Sequence, residues 1–190
     1  MWVKVCGITN LDDAQRAIEL GADALGFNFY PPSPRYISPS ESTRIINRLP
    51  LQVLMVGVFV GFPTGPICEE LRALQLHGLH SESEIKASTR RVFVATSPTR
   101  IDDFPNYEIV IDTSWGSGKK ADWKGLREVC RPFILSGGLT PENVGEAIQE
   151  LHPAGVDVCS GVESAPGRKD PHRLKRFLEA VRQAASGIQG

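Results

Sequence analysis

The stretch "WVKVCGITNLDDAQRAIELGADALGFNF", residues 2–29, reads as one strand–helix–strand unit. Trp2–Cys6 and Ala24–Phe29 are apolar runs of strand length, and Leu11–Leu20 between them has apolar residues at helical spacing. Two strands joined through a helix lie parallel, because the helix returns the chain to the edge where the first strand began. The stretch therefore predicts the βαβ unit from which parallel sheets are built.

The same alternation continues along the rest of the chain. The further strand-like runs are Gln52–Val60, Ala73–His77, Arg91–Ala95, Glu108–Asp112, Pro132–Ser136 and Val156–Ser160. The further segments of helical period are Pro39–Leu49, Ile67–Leu71, Ser81–Ser88, Thr99–Phe104, Ala121–Val129, Pro141–Leu151 and Pro171–Ala184. Ser38, Thr140 and Asp170 are residues of the kind that cap helix N-termini. Eight βα units without a linker predict an α/β fold, a closed (β/α)8 TIM barrel, with residues 1–190 as a single domain.

The chain is short for such a barrel. Its 190 residues leave about 24 for each βα unit, whereas the fold usually has roughly 200 to 400 in total. The breaker-rich stretch "GFPTGP", residues 61–66, stands where the third helix would begin. We therefore expect shortened helices in the middle of the chain, over residues 61–106. A doubly wound open sheet is the alternative, but it normally has fewer strands.

Charge and hydropathy indicate which partners to expect. A net charge of −1 without blocks of Lys or Arg argues against binding to nucleic acid or anionic lipid. The longest apolar run, Val53–Phe62, is about half the roughly 20 residues of a membrane helix. Nothing after Met1 resembles a secretion signal, so we expect a cytoplasmic protein whose partner is a small molecule.

The cysteines and histidines predict no metal site. The cysteines Cys6, Cys68, Cys130 and Cys159 lie far apart, without a C-x-x-C pair. This spacing argues against a zinc ribbon or a disulfide framework and favours free thiols. His77 and His80 are close in sequence, but no neighbouring Cys or Asp completes a tetrahedral ligand set.

Glycine-rich turns follow the last two predicted strands. Gly137 and Gly138 come after strand seven, and Ser160 and Gly161 come after strand eight. TIM barrels commonly bind phosphate at these two loops, where glycine lets backbone N–H groups approach an anion. Either motif alone would be read as a simple turn. Together they predict a phosphorylated substrate.

Two candidate proton-transfer groups also stand at strand ends. Cys6 ends the first strand and Asp112 the sixth, on the side of a barrel that carries the active site. A thiolate can accept a proton and a protonated carboxylic acid can donate one. The alternatives are a buried apolar thiol for Cys6 and a helix cap for Asp112.

Arg35 and His77 are candidate substrate contacts. Arg35 lies in the proline-stiffened loop "PPSPRY", residues 31–36, and could clamp a planar carboxylate. A solvated surface arginine is the equally simple alternative. His77 in "QLHG" is more often a structural histidine than a catalyst, so we expect at most a substrate contact.

Motifs spread over nearly the whole chain resemble one family, phosphoribosylanthranilate isomerase. They are "KVCGIT" (4–9), "GADALGFNFYPPSPRYIS" (21–38), "VGVFV" (56–60), "QLHG" (75–78), "GSGKKADW" (116–123), "RPFILSGGLTPENV" (131–144) and "GVDVCSGVESAPGRKD" (155–170). The resemblance implies the (β/α)8 fold and a step of L-tryptophan biosynthesis without a cofactor. This step is the Amadori rearrangement of N-(5'-phosphoribosyl)anthranilate to 1-(2-carboxyphenylamino)-1-deoxyribulose 5-phosphate. Whether the chain is a monomer or a homodimer is left open.

The resemblance also implies roles for the candidate residues. Asp112 would be the general acid that protonates the ribose ring oxygen, and Cys6 the general base that removes the C2' proton. Arg35 would hold the anthranilate carboxylate. The phosphate would be bound by the loops at Gly137, Gly138, Ser160 and Gly161.

The chain departs from the family pattern at three places: Cys159 stands where a serine is common, Trp115 replaces a usual glycine, and the middle is short. Two rival functions stay open. One is an isomerase of phosphoribosylated aldose-amines from histidine biosynthesis, which would be expected to use an aspartate pair rather than Cys6. The other is a non-catalytic phosphate-metabolite binder on a degenerate barrel.

Strand alternation places Lys4 on the same face as Cys6, and Asp157 on the same face as Cys159. If strand eight closes onto strand one, Lys4 and Asp157 become neighbours inside the barrel. We therefore predict a buried Lys4–Asp157 ion pair beneath the active site, since an unpaired charge there would be very costly. The alternative is that Lys4 reaches solvent at the open bottom of the barrel.

Overall fold

The computed structural model describes residues 1–65, 67–85, 88–113 and 123–187. Eight parallel strands form a closed barrel in chain order, which confirms the predicted (β/α)8 fold. The strands are β1 (Trp2–Cys6), β2 (Ala24–Asn28), β3 (Leu54–Val60), β4 (Ala73–His77), β5 (Arg91–Thr96), β6 (Glu108–Asp112), β7 (Phe133–Ser136) and β8 (Gly155–Val158). The barrel closes where Trp2 pairs with Gly155 and Val5 with Val158. The assignment of residues 1–190 to one domain stays a prediction.

In the part of the chain that the structure describes, the α-helices lie toward the two ends. They are α1 (Leu11–Glu19), α2 (Pro39–Ile46), α3 (Val144–Leu151) and α4 (Pro171–Ser186). Ser38 begins α2 with a capping box, and the Asp170 carboxylate caps α4 by accepting from two backbone N–H groups, which confirms both predicted caps. Thr140 does not cap α3 directly: its hydroxyl accepts from the Glu142 N–H at 3.3 Å at the start of an intervening turn, and the helix itself begins after Asn143.

The middle of the chain has only short helical turns among its described residues. The 3-10 turns are Glu82–Glu84, Pro98–Asp103 and Lys124–Leu126. The helix predicted at Ile67–Leu71 was wrong, because five residues after a run of prolines and glycines are too few to nucleate a helix. The expectation of shortened helices is therefore confirmed for the described part of residues 61–106.

Strand eight ends earlier than its sequence predicts. Cys159 and Ser160 leave the strand, and Ser160–Val162 forms a 3-10 turn. A short antiparallel hairpin follows, made of β9 (Glu163–Ala165) and β10 (Arg168–Lys169). The positive φ of Gly167, 77°, allows the tight turn between its strands. The hairpin places Glu163 and Lys169 beside the barrel mouth.

The barrel interior changes from apolar at the bottom to polar above. Trp2 stacks on Phe93 at 5.7 Å between ring centroids, within an apolar cluster that fills the bottom. Above it Lys4 Nζ lies 2.5 Å from Asp157 Oδ2, with the two side chains 1% and 3% exposed, so the predicted ion pair is confirmed. Within the described residues, no helix is long and apolar enough to cross a membrane.

Candidate active site

A cavity of about 480 Å³ opens at the carboxyl ends of the barrel strands. Of the predicted site residues, those that line it are Cys6, Arg35, His77, Asp112, Gly137, Gly138 and Ser160. Gly161 is not in the wall. A Cβ placed on it would lie 1.8 Å from the carbonyl oxygen of Leu139, so glycine lets the loops after β7 and β8 pack together. One cavity thus gathers groups from separate parts of the chain.

Cys6 lies in the cavity wall at the end of β1 and is 9% exposed. A hydrogen bond with the Cys159 thiol is the main cause that lowers the pKa of Cys6, to about 7, against the opposing effect of burial. The Lys4 and Lys169 ammonium groups lower the pKa of this thiol further. At neutral pH a substantial fraction of Cys6 is therefore thiolate, the form that accepts a proton.

Lys4 orients a chain of polar side chains under the cavity. Its ammonium donates to Gln75 Oε1 at 2.7 Å, and Gln75 Nε2 lies 3.0 Å from His77 Nε2. Because an ammonium can only donate, the Gln75 oxygen faces Lys4 and its NH₂ group faces His77. The His77 Nε2 atom is then the acceptor, so its proton is on Nδ1.

His77 is neutral in this arrangement. Burial lowers its pKa to about 4, although the Asp112 carboxylate acts in the opposite direction. A neutral imidazole with its proton on Nδ1 can donate a hydrogen bond but is a poor proton source at neutral pH. This agrees with the expectation that His77 serves as a substrate contact at most.

Asp112 ends β6 across the barrel from Cys6 and is half-buried. The next residue, Thr113, fixes this strand end to the glycine loop after β7, since its hydroxyl donates to the carbonyl oxygen of Gly137 at 3.1 Å. The Asp112 carboxyl therefore lies beside the predicted phosphate loop. Trp115 and most of "GSGKKADW" lie outside the described residues.

Arg35 is held in place by a carboxylate that the sequence did not point to. Its Nη2 donates to Glu163 Oε2 at 2.7 Å and its Nε lies 3.0 Å from both carboxylate oxygens, so one edge of the guanidinium is engaged. The other edge is left for the cavity that Arg35 lines. At 20% exposure the side chain is not the solvated surface arginine that was the alternative.

Glu163 connects Arg35 to a buried lysine. Its Oε1 atom accepts from Lys169 Nζ at 2.9 Å and from the Gly167 N–H at 3.2 Å. These partners lower the pKa of the Glu163 carboxyl despite its burial, with the Arg35 hydrogen bond as the largest favourable cause. Two cations and one carboxylate leave this cluster with one positive charge at the cavity rim, which favours an anionic ligand.

The two loops at the far side of the cavity have the backbone that an anion site needs. Gly137 and Gly138 have φ of 90° and 65°, conformations that residues with a Cβ rarely adopt. Ser160 lines the same cavity, at the start of the 3-10 turn after β8. Backbone N–H groups can approach an anion closely at such turns.

Sequence reasoning missed Gln75, Glu163, Lys169 and the contribution of Asp157 to the cavity. The ion-pair prediction had found Asp157, whose second oxygen, Oδ1, accepts no hydrogen bond from any described residue. Gln75 could have been found from strand alternation, since it precedes His77 by two residues on β4. Glu163 and Lys169 had no such signal, because they lie beyond the barrel strands. Among the described residues, no group of three or more His, Cys, Asp or Glu side chains could hold a metal ion.

Comparison with known proteins gives a consistent result. The family model described as N-(5'phosphoribosyl)anthranilate (PRA) isomerase matches residues 3–180. The N-(5'-phosphoribosyl)anthranilate isomerase of Trichlorobacter lovleyi is 41% identical, over 96% of this chain and 98% of its own. That of Thermotoga maritima is 42% identical, over 93% of this chain and 96% of its own.

Solved structures agree with the sequence comparison. The crystal structure of phosphoribosyl anthranilate isomerase from Thermotoga maritima superposes with a TM-score of 0.88 at 41% identity, covering 96% of this chain and 99% of its own. A second structure of such an isomerase contains reduced 1-(o-carboxyphenylamino)-1-deoxyribulose 5-phosphate. It has a TM-score of 0.85 at 40% identity, with 96% and 99% coverage.

Proposed function

The chain belongs to the phosphoribosylanthranilate isomerase family, and from this premise we propose that it catalyses the Amadori rearrangement of N-(5'-phosphoribosyl)anthranilate. The product is 1-(2-carboxyphenylamino)-1-deoxyribulose 5-phosphate, an intermediate of L-tryptophan biosynthesis. The observation that carries the proposal is the single cavity that combines a thiol, a carboxyl group, an arginine and two glycine loops. Each matches one chemical feature of this substrate.

In the proposed first step, Asp112 donates a proton to the ribose ring oxygen. Protonation makes this oxygen a better leaving group, so the C1'–O bond breaks and the anthranilate nitrogen forms a Schiff base at C1'. The position of Asp112 beside the glycine loop after β7 supports this role. With the phosphate held at that loop, the ribose would lie between Asp112 and Cys6.

In the proposed second step, Cys6 removes the proton from C2'. The electrons left on C2' move toward the iminium nitrogen and give an enolamine, which tautomerises to the ketone. A thiolate at the end of β1 supports this role, because the pKa of about 7 provides the basic form at neutral pH. Two proton transfers at different atoms need two groups, which this cavity contains.

The remaining predicted residues would bind the ends of the substrate. The free edge of the Arg35 guanidinium is suited to the anthranilate carboxylate. Gly137, Gly138 and Ser160 would surround the phosphate through backbone N–H groups, and Gly161, outside the cavity wall, would keep the two loops packed together. His77 would contact the substrate as a neutral donor. A cytoplasmic location and the choice between monomer and homodimer stay predictions; a dimeric isomerase is described for Thermotoga maritima.

The proposal is tested by following the fluorescence of phosphoribosylanthranilate as it is consumed by the purified protein. Turnover of this substrate, without turnover of the phosphoribosylated aldose-amine of histidine biosynthesis, is the expected result. Consumption of the second substrate alone would overturn the assignment. Binding of phosphorylated ligands without turnover of either would favour the non-catalytic alternative.

The activity should depend on the protonation of Cys6. Because a protonated thiol cannot accept the C2' proton, kcat/KM is expected to fall as pH decreases below the pKa of about 7. The slope should approach about tenfold per pH unit, as for a single essential base. The measurement is a pH–rate profile of kcat/KM, recorded with one series at limiting and one at saturating substrate concentration. A profile that stays flat through this range would exclude Cys6 as the base.

Replacing Glu163 by glutamine should weaken substrate binding through Arg35. Hydrogen bonds to charged groups contribute about 1.5–3 kcal/mol, so we expect KM to rise about 10-fold to 100-fold with a smaller change in kcat. Steady-state kinetics provide the measurement. The matched control introduces the same change into an Arg35→Met background, where it should have little further effect. An equal rise of KM in both backgrounds would show that Glu163 does not act through Arg35.

A further inference from the structure

Two of the free cysteines are neighbours across the seam where the barrel closes. Val5 of β1 pairs with Val158 of β8. Cys6 and Cys159 are the residues that follow these two valines. Adjacent strands lie about 4.8 Å apart, and this spacing falls within the roughly 4.4–6.8 Å between Cα atoms that disulfides require. Cys6 and Cys159 each come one residue after the last pair of this seam, so the seam brings the two cysteines within reach of a disulfide.

The two thiol groups also open into the same place. Both side chains line one cavity, and each thiol affects the pKa of the other. A Cβ placed on Gly7 would lie 2.9 Å from Cys159 Sγ, so this sulfur leans over the end of β1. The other cysteines have different surroundings: Cys68 Sγ contacts the Thr43 hydroxyl at 2.7 Å, and Cys130 is exposed.

The charges around the pair favour a reactive thiolate. Lys169 Nζ lies 2.5 Å from the carbonyl oxygen of Cys6 and 3.9 Å from Cys159 Sγ, and the Lys4 ammonium lies below in the barrel. The Glu163 carboxylate, 3.8 Å from Cys159 Sγ, opposes ionisation of Cys159 rather than of Cys6. Cys6 is thus the thiol that ionises more readily, and Cys159 is its protonated neighbour. The thiolate is the form that reacts with peroxides.

We propose that Cys6 and Cys159 form an oxidation site at which a hydroperoxide converts the two thiols into a reversible disulfide. The Cys6 thiolate attacks one oxygen of hydrogen peroxide, the O–O bond breaks, and hydroxide leaves and takes up a proton. The resulting sulfenic acid is attacked by the Cys159 sulfur. The S–S bond forms while the S–O bond breaks, and the hydroxyl group leaves as water with the thiol proton. The cysteines lose two electrons, and the peroxide is reduced to water.

The disulfide has a functional consequence that depends on the proposed function. Because Cys6 would no longer offer a thiolate, oxidation should stop the isomerase, and reduction should restore it. Cys159 would also protect Cys6, since disulfide formation competes with irreversible oxidation to the sulfinic acid. A serine at position 159 could not form this disulfide, so the protection depends on Cys159.

The test treats the full-length protein with hydrogen peroxide, blocks remaining thiols under denaturing conditions and measures intact mass, cross-linked peptides and activity. The wild type is expected to lose two hydrogen atoms, to yield a peptide pair joined through Cys6 and Cys159, and to lose activity that dithiothreitol restores. The Cys159→Ser variant should give no cross-link, and excess peroxide should carry its Cys6 beyond the sulfenic acid, which dithiothreitol still reduces, to sulfinic acid and a permanent loss of activity. The Cys130→Ser variant, changed at an exposed cysteine outside the site, should behave like the wild type.

The outcomes separate the oxidation site from the catalytic role of Cys6. Sulfinic acid on Cys6 of the wild type without a cross-link would overturn the proposal. A quantitative cross-link with unchanged activity would support the oxidation site and overturn the role of Cys6 as the base. The mass measurement needs no turnover, so it stands even if the proposed reaction is wrong.

Discussion

Replacing Cys6 by serine or Asp112 by asparagine is expected to slow turnover of phosphoribosylanthranilate by at least about 100-fold, the usual cost of losing a general base or acid. Serine is close in size to cysteine, but its hydroxyl ionises far less readily than a thiol whose pKa is about 7. Asparagine has the shape of aspartic acid without the acidic proton. Both changes remove a proton transfer and leave the cavity largely intact.

The measurement is kcat from fluorescence-monitored turnover, together with the Kd of the reduced product, in which the ketone has become an alcohol. This ligand needs no proton transfer, so its Kd should stay within a few-fold of the wild type in both variants. Circular dichroism checks the fold. Cys130→Ser and Asp12→Asn are matched controls on exposed positions and should keep wild-type kcat. Wild-type kcat in either test variant would exclude the role proposed for that residue.

The second large effect concerns stability. Replacing Lys4 by methionine should lower the free energy of unfolding by about 3–5 kcal/mol, because it leaves the buried Asp157 carboxylate without its cation. Lys4 is 1% exposed, so water cannot take the place of the ammonium. Replacing Asp157 by asparagine in the same chain should recover much of this loss, since neither charge is then buried alone. Urea denaturation at neutral pH measures all three proteins.

A surface ion pair provides the comparison. Lys175 and Glu179 lie one helical turn apart on α4, 3.8 Å between their charged atoms, and both are well exposed. Lys175→Met should change stability by less than about 1 kcal/mol, as is typical of solvated pairs. Equal effects of Lys4→Met and Lys175→Met would show that the buried pair does not support the barrel.

The pH dependence of the buried pair follows from Lys4. The Asp157 charge raises the pKa of Lys4 above 10.5 although burial acts in the opposite direction. A lysine whose pKa is raised by folding stabilises the fold at every pH below its unfolded-state pKa. This stabilisation is lost only as pH rises through the folded-state pKa. The Lys4 contribution therefore persists throughout the neutral range, whereas burial raises the pKa of the Asp157 carboxyl, so ionisation of that carboxyl costs stability as pH rises through its folded-state pKa.

The barrel could be predicted from the sequence because its signals are local. The alternation of β1, α1 and β2 is visible in residues 2–29, and strands β4 and β6 have the predicted bounds. Helix caps at Ser38 and Asp170 are equally local, since each side chain bonds to a backbone N–H within three residues. The helix predicted at Ile67–Leu71 failed, because apolar spacing alone cannot offset a segment too short to nucleate.

Part of the candidate site could likewise be predicted from the sequence. Cys6, His77 and Asp112 could be placed at strand ends from the sequence, because the end of a parallel strand is defined by its own residues. The Lys4–Asp157 pair needed one further step, the closure of β8 onto β1, which strand parity and barrel geometry supply. Its distance and burial came from the structure.

By itself, the sequence determined the order of the barrel strands, the side of the barrel on which chemistry takes place and the residue types that stand there. Only the tertiary structure decided that Glu163 accepts from Arg35 across 128 positions, that Gln75 turns its amide toward His77, and that the Cys6 and Cys159 side chains line the same cavity. The physical reason is that strand propensity and capping act between near neighbours in the chain. Contacts such as these form only when barrel closure brings distant segments within hydrogen-bonding distance.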